Sequence, residues 1–417
     1  MDNRNRYVFP LFIIGVLFFT FGYITWTNSS LIPFLKIACE LKTDTQAFLV
    51  TSAFYMSYFF LAIPSSYILK ITGFKKGMVL GLIIVALGSL IFIPAANQRA
   101  FPLFLTGLFV QGMGLALLQT AVNPYVSLLG PIESAAQRIS FMGIANKLAG
   151  ILAPIILSTT ILKGMGSFEQ ELKATTDAAQ RNQLLNDLVS RIHMPYIALA
   201  IFLILIAVLI YFVNLPEVDE EKDADITTAK KSVFEYPNLV LGMFAIMFYV
   251  AAEVIAGDGI GQYGKNIGIS LDQAKFFPTF TLGAMLIGYI FGTIAIPKWI
   301  SQENALKYSA ILGAVFTSCA IFTSGMTSVY SIASMGLANA LMWPAIFPLG
   351  VKGLGKFTKI GSALLIMGIG PGGGIIPLLY AALGGPANPQ RGFWVMFFCY
   401  AYILYYAWKG CKKTAWS

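Results

Sequence analysis

Between Leu117 and Gly150 the chain reads LLQTAVNPYVSLLGPIESAAQRISFMGIANKLAG, with Gln119, Asn123, Asn146 and Lys147 set in segments otherwise apolar enough to lie in a bilayer. Polar side chains at that depth cost free energy unless they face protein, water or a ligand. Gln119 and Asn123 are four apart, hence on one helix face. Amides donate and accept without the cost of a charge, which matches the hydroxyls of a sugar-like solute; hydrogen bonding between membrane helices is the competing use. Asn146 supplies a third amide beside Lys147. An isolated ammonium there must find a partner or lose its proton. Lys147 is therefore either a fixed or titratable charge doing the work of a bound cation, a structural ion pair, or a side chain reaching toward the cytoplasmic interface.

Other residues suit the same chemistry. Glu253, in MFYVAAEVIAGDG, is an embedded carboxylate that can accept sugar hydroxyls, pair with Lys147 or exchange a proton. Asp258 lies nearer the outer end of that segment and is expected to be a gate or helix-end residue. Asn28 follows Trp26 and Thr27 in WTNSSLIP. Asn339 and Trp343 repeat the four-residue spacing, and an indole beside an amide makes a sugar platform: the ring covers C–H faces while the amide takes hydroxyls. Trp26, Phe54, Tyr55 and Tyr58 are further wall residues. Nothing here predicts a catalytic residue or a metal site. The four cysteines form no CxxC pair and no spacing with the single His193, and Cys319 and Cys399 read as buried apolar thiols. A membrane enzyme would need clustered carboxylates, His or Cys in its spans.

The elements that must position these residues are helices. Of 417 residues, 57% are hydrophobic and 11% charged, against about 25% charged in a soluble protein. About twelve spans of roughly 20 residues follow: 8–35, 46–71, 77–96, 101–129, 139–162, 194–214, 238–261, 273–299, 305–324, 327–353, 360–384 and 391–409. The net charge of +9 sits in short clusters between apolar runs, which argues against nucleic acid and for retention of those loops in the cytoplasm, with both termini inside. The first span lacks a small-residue cleavage site and reads as uncleaved. Lys163–Met194 reads as an amphipathic cap on the outer surface, with Leu172, Leu184, Leu185, Leu188 and Ile192 on its apolar side. Residues 215–237 are charged and link an N-terminal six-helix half, 1–214, to a C-terminal one, 238–417. NPYVSLLG (Asn123–Gly130) and WPAIFPLG (Trp343–Gly350) each set Pro six residues before a closing Gly, and AIP recurs at Ala62–Pro64 and Ala295–Pro297, which suggests a parallel repeat. Gly370, Pro371, Gly372–Gly374 and Pro377 interrupt the eleventh span, and Pro124 and Pro344 interrupt two others, as helices that rock or kink require.

This all-α, twelve-helix, six-plus-six pattern resembles the major facilitator superfamily. FFTFGYITWTNSSLIPFLK (Phe18–Lys36), AFYMSYFFLAIPSSYILKITGFKKG (Ala53–Gly77), LIFIPAA (Leu90–Ala96), LLQTAVNPYVSLLG, RISFMGIANKLAG and GSALLIMGIGPGGGIIP (Gly361–Pro377) are together similar to the L-fucose permease family of bacterial fucose, glucose/galactose and N-acetylglucosamine porters. The resemblance implies a carboxylate at the position of Gln119 in fucose permeases and a Gln in hexose-type members. It implies an acidic residue just after Asn28, where this chain has Ser29, so the family's cation mechanism does not carry over there. It matches Asn146 and the FYV-A-E pattern at Glu253, while Lys147 replaces a small residue. GFKKG resembles a shortened form of the superfamily's loop motif, expected in the turn after the second span.

The expectation is a secondary active transporter that imports a monosaccharide, a hexose such as glucose or galactose or N-acetylglucosamine, across the bacterial cytoplasmic membrane by alternating access. Asn28, Gln119, Asn123, Asn146, Glu253, Asn339 and Trp343 would bind sugar, and Lys147, Glu253 and Asp258 would couple or gate. There would be no cofactor beyond Na+ or H+ as coupling ion, and no partner beyond sugar and bilayer, in a monomer. The alternatives are a sugar uniporter, or a drug or metabolite exporter of the same fold, which would prefer an apolar cavity to paired amides. A sensor that binds without translocating is a third.

Overall fold

The computed structural model describes residues 5–128, 135–213, 232–385 and 387–416. The expected linker falls outside them as far as residue 231, as do Arg4 and the Leu129–Gly130 end of the fourth span. The chain folds into a helical bundle: α1 (Asn5–Trp26), α2 (Asn28–Ala38), α3 (Asp44–Asn97), α4 (Phe101–Leu128), α5 (Ala135–Thr159), α6 (Met165–Ala174), α7 (Ala178–Ser190), α8 (His193–Phe212), α9 (Pro237–Gly257) and α10 (Ile260–Asn266). There follow α11 (Leu271–Ala274), α12 (Phe277–Ala295), α13 (Gln302–Phe322), α14 (Gly325–Asn339), α15 (Met342–Val351), α16 (Thr358–Met367), α17 (Ile369–Gly374), α18 (Ile376–Gly384) and α19 (Trp394–Trp408). Among the described residues, ten helical segments are long and apolar enough to cross a membrane. Large apolar side chains lie on the outside, Ile201, Phe202, Leu205 and Phe212 of α8 among them. A surface of that kind is stable against lipid, not water.

α3, at 54 residues, would run about 81 Å if straight, far more than the roughly 30 Å of a hydrocarbon core. Gly73 breaks it with φ 74° and ψ 170°, a backbone that favours glycine. The turn expected at GFKKG is thus a sharp kink between two helical runs, with no loop: the residues after Gly73 are already helical. Phe74 beyond the kink meets the Tyr125 ring at 6.1 Å, and the Lys359 ammonium lies 5.6 Å from its centroid.

Other breaks follow from proline. A proline ring clashes with the carbonyl four residues earlier and offers no N–H. Pro344 falls four after Ala340, between α14 and α15, and Pro371 falls four after Met367, where α16 ends. Between α1 and α2, hydroxyls compete for the backbone: Thr27 Oγ1 donates to the Tyr23 carbonyl at 2.7 Å and Ser29 Oγ to the Trp26 carbonyl at 2.7 Å.

The helices before the linker pack as α1 on α5 and α3 on α4 and α8; those after it pack as α12 on α14, α13 on α14 and α19, and α9 on α15 and α19. The two groups meet where α5 lies on α12 and where α3 lies on α16, α17 and α18. The amphipathic segment forms α6 and α7; of its predicted apolar side Leu172, Leu185, Leu188 and Ile192 are buried and Leu184 is half-buried, and Met165 and Phe168 are buried besides. It sits at the end of the bundle shared by the α2–α3 and α9–α10 junctions, hereafter the distal face. One thiol departs from expectation: Cys399 is buried, but Cys319 is exposed, because its side of α13 belongs to the apolar exterior.

Candidate functional site

The seam between the two groups of helices holds a cavity of about 90 Å³, lined from α1, α3, α4 and α5 on one side and α9, α12, α15 and α17 on the other. One wall holds the amides. Gln119 Nε2 donates to the Tyr58 hydroxyl at 3.0 Å, and Asn123 Nδ2 donates to the Gln119 carbonyl at 3.0 Å. Asn146 Nδ2 donates to the Phe18 carbonyl at 3.2 Å, and its Oδ1 accepts from the Trp26 indole N–H at 3.5 Å. The facing wall holds Trp343, with Tyr249 at 6.2 Å between ring centroids and Phe347 stacked behind it at 5.8 Å. An aromatic face opposite amides with spare lone pairs suits a ring with apolar C–H faces and a hydroxyl rim.

Across the seam, Lys147 Nζ donates to Glu253 Oε1 at 2.8 Å, with side chains only 5% and 13% exposed. The ammonium also sits over the Trp26 ring, 4.3 Å from the centroid, and 5.9 Å from that of Tyr289. Trp26 reaches this position because glycines flank it: a Cβ at Gly150 of α5 or at Gly257 of α9 would strike the indole. The buried cation thus has an anion, a π-face and a rigid packing shell, which is what an ammonium in an apolar interior requires. Of the roles open to Lys147, an ion pair across the seam is the one observed, and a reach to the interface is not.

Gln119, Asn123, Asn146, Lys147, Glu253 and Trp343 therefore share one cavity. Three expected site residues do not line it. Asn339 is wholly buried and accepts a 3.0 Å hydrogen bond from the Tyr400 hydroxyl; the break at Ala340–Leu341 separates it from Trp343, so the four-residue spacing does not set the two on one face. Asn28 lies past the break at Thr27 and is 1% exposed, with neither amide atom hydrogen-bonded among the described residues. Asp258 follows the last residue of α9, as a helix-end residue should, but is completely buried. Phe54, proposed as a wall, is core; Trp26, Tyr55 and Tyr58 do line the cavity. Tyr249 and Tyr289 were not anticipated. Tyr249 stands four before Glu253 and so shares its face, a signal present in the sequence; Tyr289 lies in an apolar run with no polar neighbour to mark it.

Toward the distal face, a second polar cluster joins the two groups. Asp44, the first residue of α3, accepts from Lys36 and from Gln262 Nε2 at 3.1 Å through Oδ1, and from Asn266 Nδ2 at 2.8 Å through Oδ2. Farther out, Glu169 of α6 accepts from Lys265 at 3.1 Å, the Gly166 N–H donates to Asp272 Oδ2 at 3.2 Å, and Lys275 donates to the Leu162 carbonyl at 3.3 Å. Burial, the largest influence on Glu169, would raise its carboxyl, but the Lys265 and Lys173 ammonium groups outweigh it and hold the group below the usual carboxylate range.

Comparison with known proteins agrees with this architecture. The family model of the Major Facilitator Superfamily matches residues 12–377. The glucose/galactose transporter of Brucella abortus biovar 1 (strain 9-941) is 33% identical over 415 residues, covering 99% of this chain and 96% of the relative. The putative glucose/galactose transporter of Helicobacter pylori (strain ATCC 700392 / 26695) is 31% identical, covering 96% of each. The crystal structure of a variant of the E. coli fucose:proton symporter superposes with a TM-score of 0.76 at 26% identity, covering 96% of this chain and 98% of that one.

Proposed function

The chain belongs to the Major Facilitator Superfamily, and from that premise we propose that it imports a monosaccharide by cation-coupled symport. The substrate class is a hexose such as glucose or galactose, or N-acetylglucosamine. The observation that carries this reading is the cavity at the seam, where Gln119, Asn123 and Asn146 face Trp343 and Tyr249. Relatives named glucose/galactose transporter and fucose:proton symporter support it. A drug exporter would prefer an apolar cavity to paired amides.

The reading includes a topology. Two additions to the ten apolar segments give twelve crossings: Gly73 divides α3 into two runs, and α19, at 15 residues, forms the last span. The halves are 1–214 and 238–417, joined by 215–237. Both termini face the cytoplasm of a bacterium, so the distal face is external, and the protein works as a monomer whose partners are sugar and lipid. Rocking of the halves about the cavity would expose the sugar to each side in turn.

The test is uptake of labelled glucose, galactose, mannose, fucose and N-acetylglucosamine into proteoliposomes with imposed sodium or proton gradients. Accumulation of one sugar above its external level only with a gradient is the expected result. Equilibration without accumulation would make the protein a uniporter, and no uptake of any sugar would overturn the assignment.

A further inference from the structure

Three ionisable side chains share the interior of the seam. Lys147 belongs to α5; Glu253 lies in α9 and Asp258 directly after it. Asp258 has zero exposure, and neither carboxylate oxygen has a hydrogen-bond partner among the described residues. The groups close enough to act on it electrostatically are Glu253, Lys147 and, from α3, Tyr55. Tyr249 and Tyr289 face Glu253. The only cation in this set is already committed to Glu253 at 2.8 Å.

Fully ionised, one ammonium and two carboxylates leave a net charge of −1. An uncompensated carboxylate this deep is far too costly, so the compartment must take up one positive charge. Glu253 has its counter-ion, and Asp258 has none. We propose that Asp258 is the site of the coupled proton, bound on a carboxyl oxygen in the state seen here, and that Lys147 is the switch that reads its occupancy. The inference rests on the transport reading above. A hard metal cation prefers several oxygen ligands, and Asp258 brings no such set. A proton needs one oxygen.

Coupling follows from where the groups sit. Lys147 belongs to the helices before the linker, and both carboxylates to those after it. With Asp258 protonated, Lys147 stays with Glu253. When the proton leaves Asp258 for water, the new carboxylate competes for the same ammonium, and the Lys147 ammonium that joins the two groups here must be shared or moved. Proton release and the seam geometry are thereby one equilibrium, which sugar bound beside Glu253 biases.

The test compares the wild type with Asp258→Asn, a neutral mimic of the protonated acid. In proteoliposomes, wild type should accumulate sugar with acid outside, and sugar entry should alkalinise the external medium. In the variant, accumulation should fall to the equilibrium level and the alkalinisation vanish, while exchange of labelled for unlabelled sugar continues. Proton-driven accumulation by the variant would overturn the proposal. So would wild-type accumulation driven only by sodium, or wild-type equilibration with no response to either gradient. Absence of sugar exchange in the wild type would instead overturn the transport reading itself. A measurement that needs no variant transport is the infrared spectrum of purified wild type: a protonated carboxyl stretch that disappears at alkaline pH, and that the variant lacks, is expected. A spectrum in which the two proteins are alike would overturn the assignment.

Discussion

The seam carries charge in two places, and they are built differently. Near the distal face Asp44 accepts from Lys36, Gln262 and Asn266, and Glu169, Lys265, Asp272 and Lys275 are each paired. Several of these groups keep some contact with solvent: Lys265 and Glu169 are 25% and 23% exposed. At the cavity one ammonium stands near two carboxylates: Glu253 in the lining is paired with it, and Asp258, wholly buried beyond the lining, has no hydrogen-bond partner among the described residues. A network whose charged members are all paired has little to gain from rearranging and holds whichever state forms it. An unsatisfied one changes energy whenever a proton or ligand arrives. By this contrast the distal end of the seam is the clamp and the cavity end responds.

The sharpest break of that comparison is at Lys147. Lys147→Met strands Glu253 beside an already unpartnered Asp258, and losing one member of a buried pair costs about 3–5 kcal/mol. The expected outcome is loss of gradient-driven uptake and a marked fall in thermal unfolding temperature. Lys147→Met combined with Glu253→Gln should recover most of the stability but none of the accumulation; a double variant no more stable than the single would show that the pair has no structural weight. Next in size is Asp44→Ala. It removes one acceptor that three donors from both groups share, each such bond being worth about 1.5–3 kcal/mol in a charged pair. The distal face should open: a cysteine introduced at Gln119 should react with an impermeant thiol reagent added on that side at least tenfold faster than in an Asp44 background. An unchanged rate would mean that apolar packing, not this cluster, holds the face shut.

How far the sequence reveals each region follows the same contrast. The cavity was legible because its cost is visible in one dimension: Gln119, Asn146, Lys147 and Glu253 stand out against apolar runs, and a buried ammonium must find an anion. The bundle was legible from span length. The places where helices break were harder to read. Asn339 and Trp343 look like a pair until proline at 344 ends the helix between them, and Asn28 looks like a neighbour of the cavity until the hydroxyls of Thr27 and Ser29 turn the chain. The distal cluster left almost no trace, since Asp44 stands more than two hundred positions from Gln262 and Asn266 and each residue alone is an ordinary loop polar group. Long-range polar pairing is a property of the folded seam.

Two smaller perturbations refine the contrast. Trp343→Ala removes the aromatic wall without touching a charge, and should raise KM for the transported sugar about tenfold, on the order of 1.4 kcal/mol, with proton coupling intact. A change in the number of protons moved per sugar would show that the wall and the charged compartment are one device.

The smallest effect belongs to Glu169→Gln. Its ion pairs with Lys265 and Lys173 are partly solvated, so their worth is about 0–1 kcal/mol and is screened by salt. The direction with pH is nevertheless fixed. Because the folded state holds this carboxyl below its ordinary value, the clamp gains stability from it above the unfolded value, and loses that gain as pH falls through the folded one. At neutral pH and low salt the variant should expose the cavity from the distal side slightly more than wild type, by less than the Asp44 variant, and the two proteins should converge in strong acid. The cavity behaves oppositely in the picture drawn here: acid fills Asp258 and settles the Lys147–Glu253 pair. Acid therefore loosens the distal clamp while it loads the interior, so a proton arriving from that side meets a seam that opens more readily. Thiol-accessibility measurements across pH in wild type, Glu169→Gln and Asp258→Asn separate the contributions: the acid-induced increase should shrink in the first variant and persist in the second.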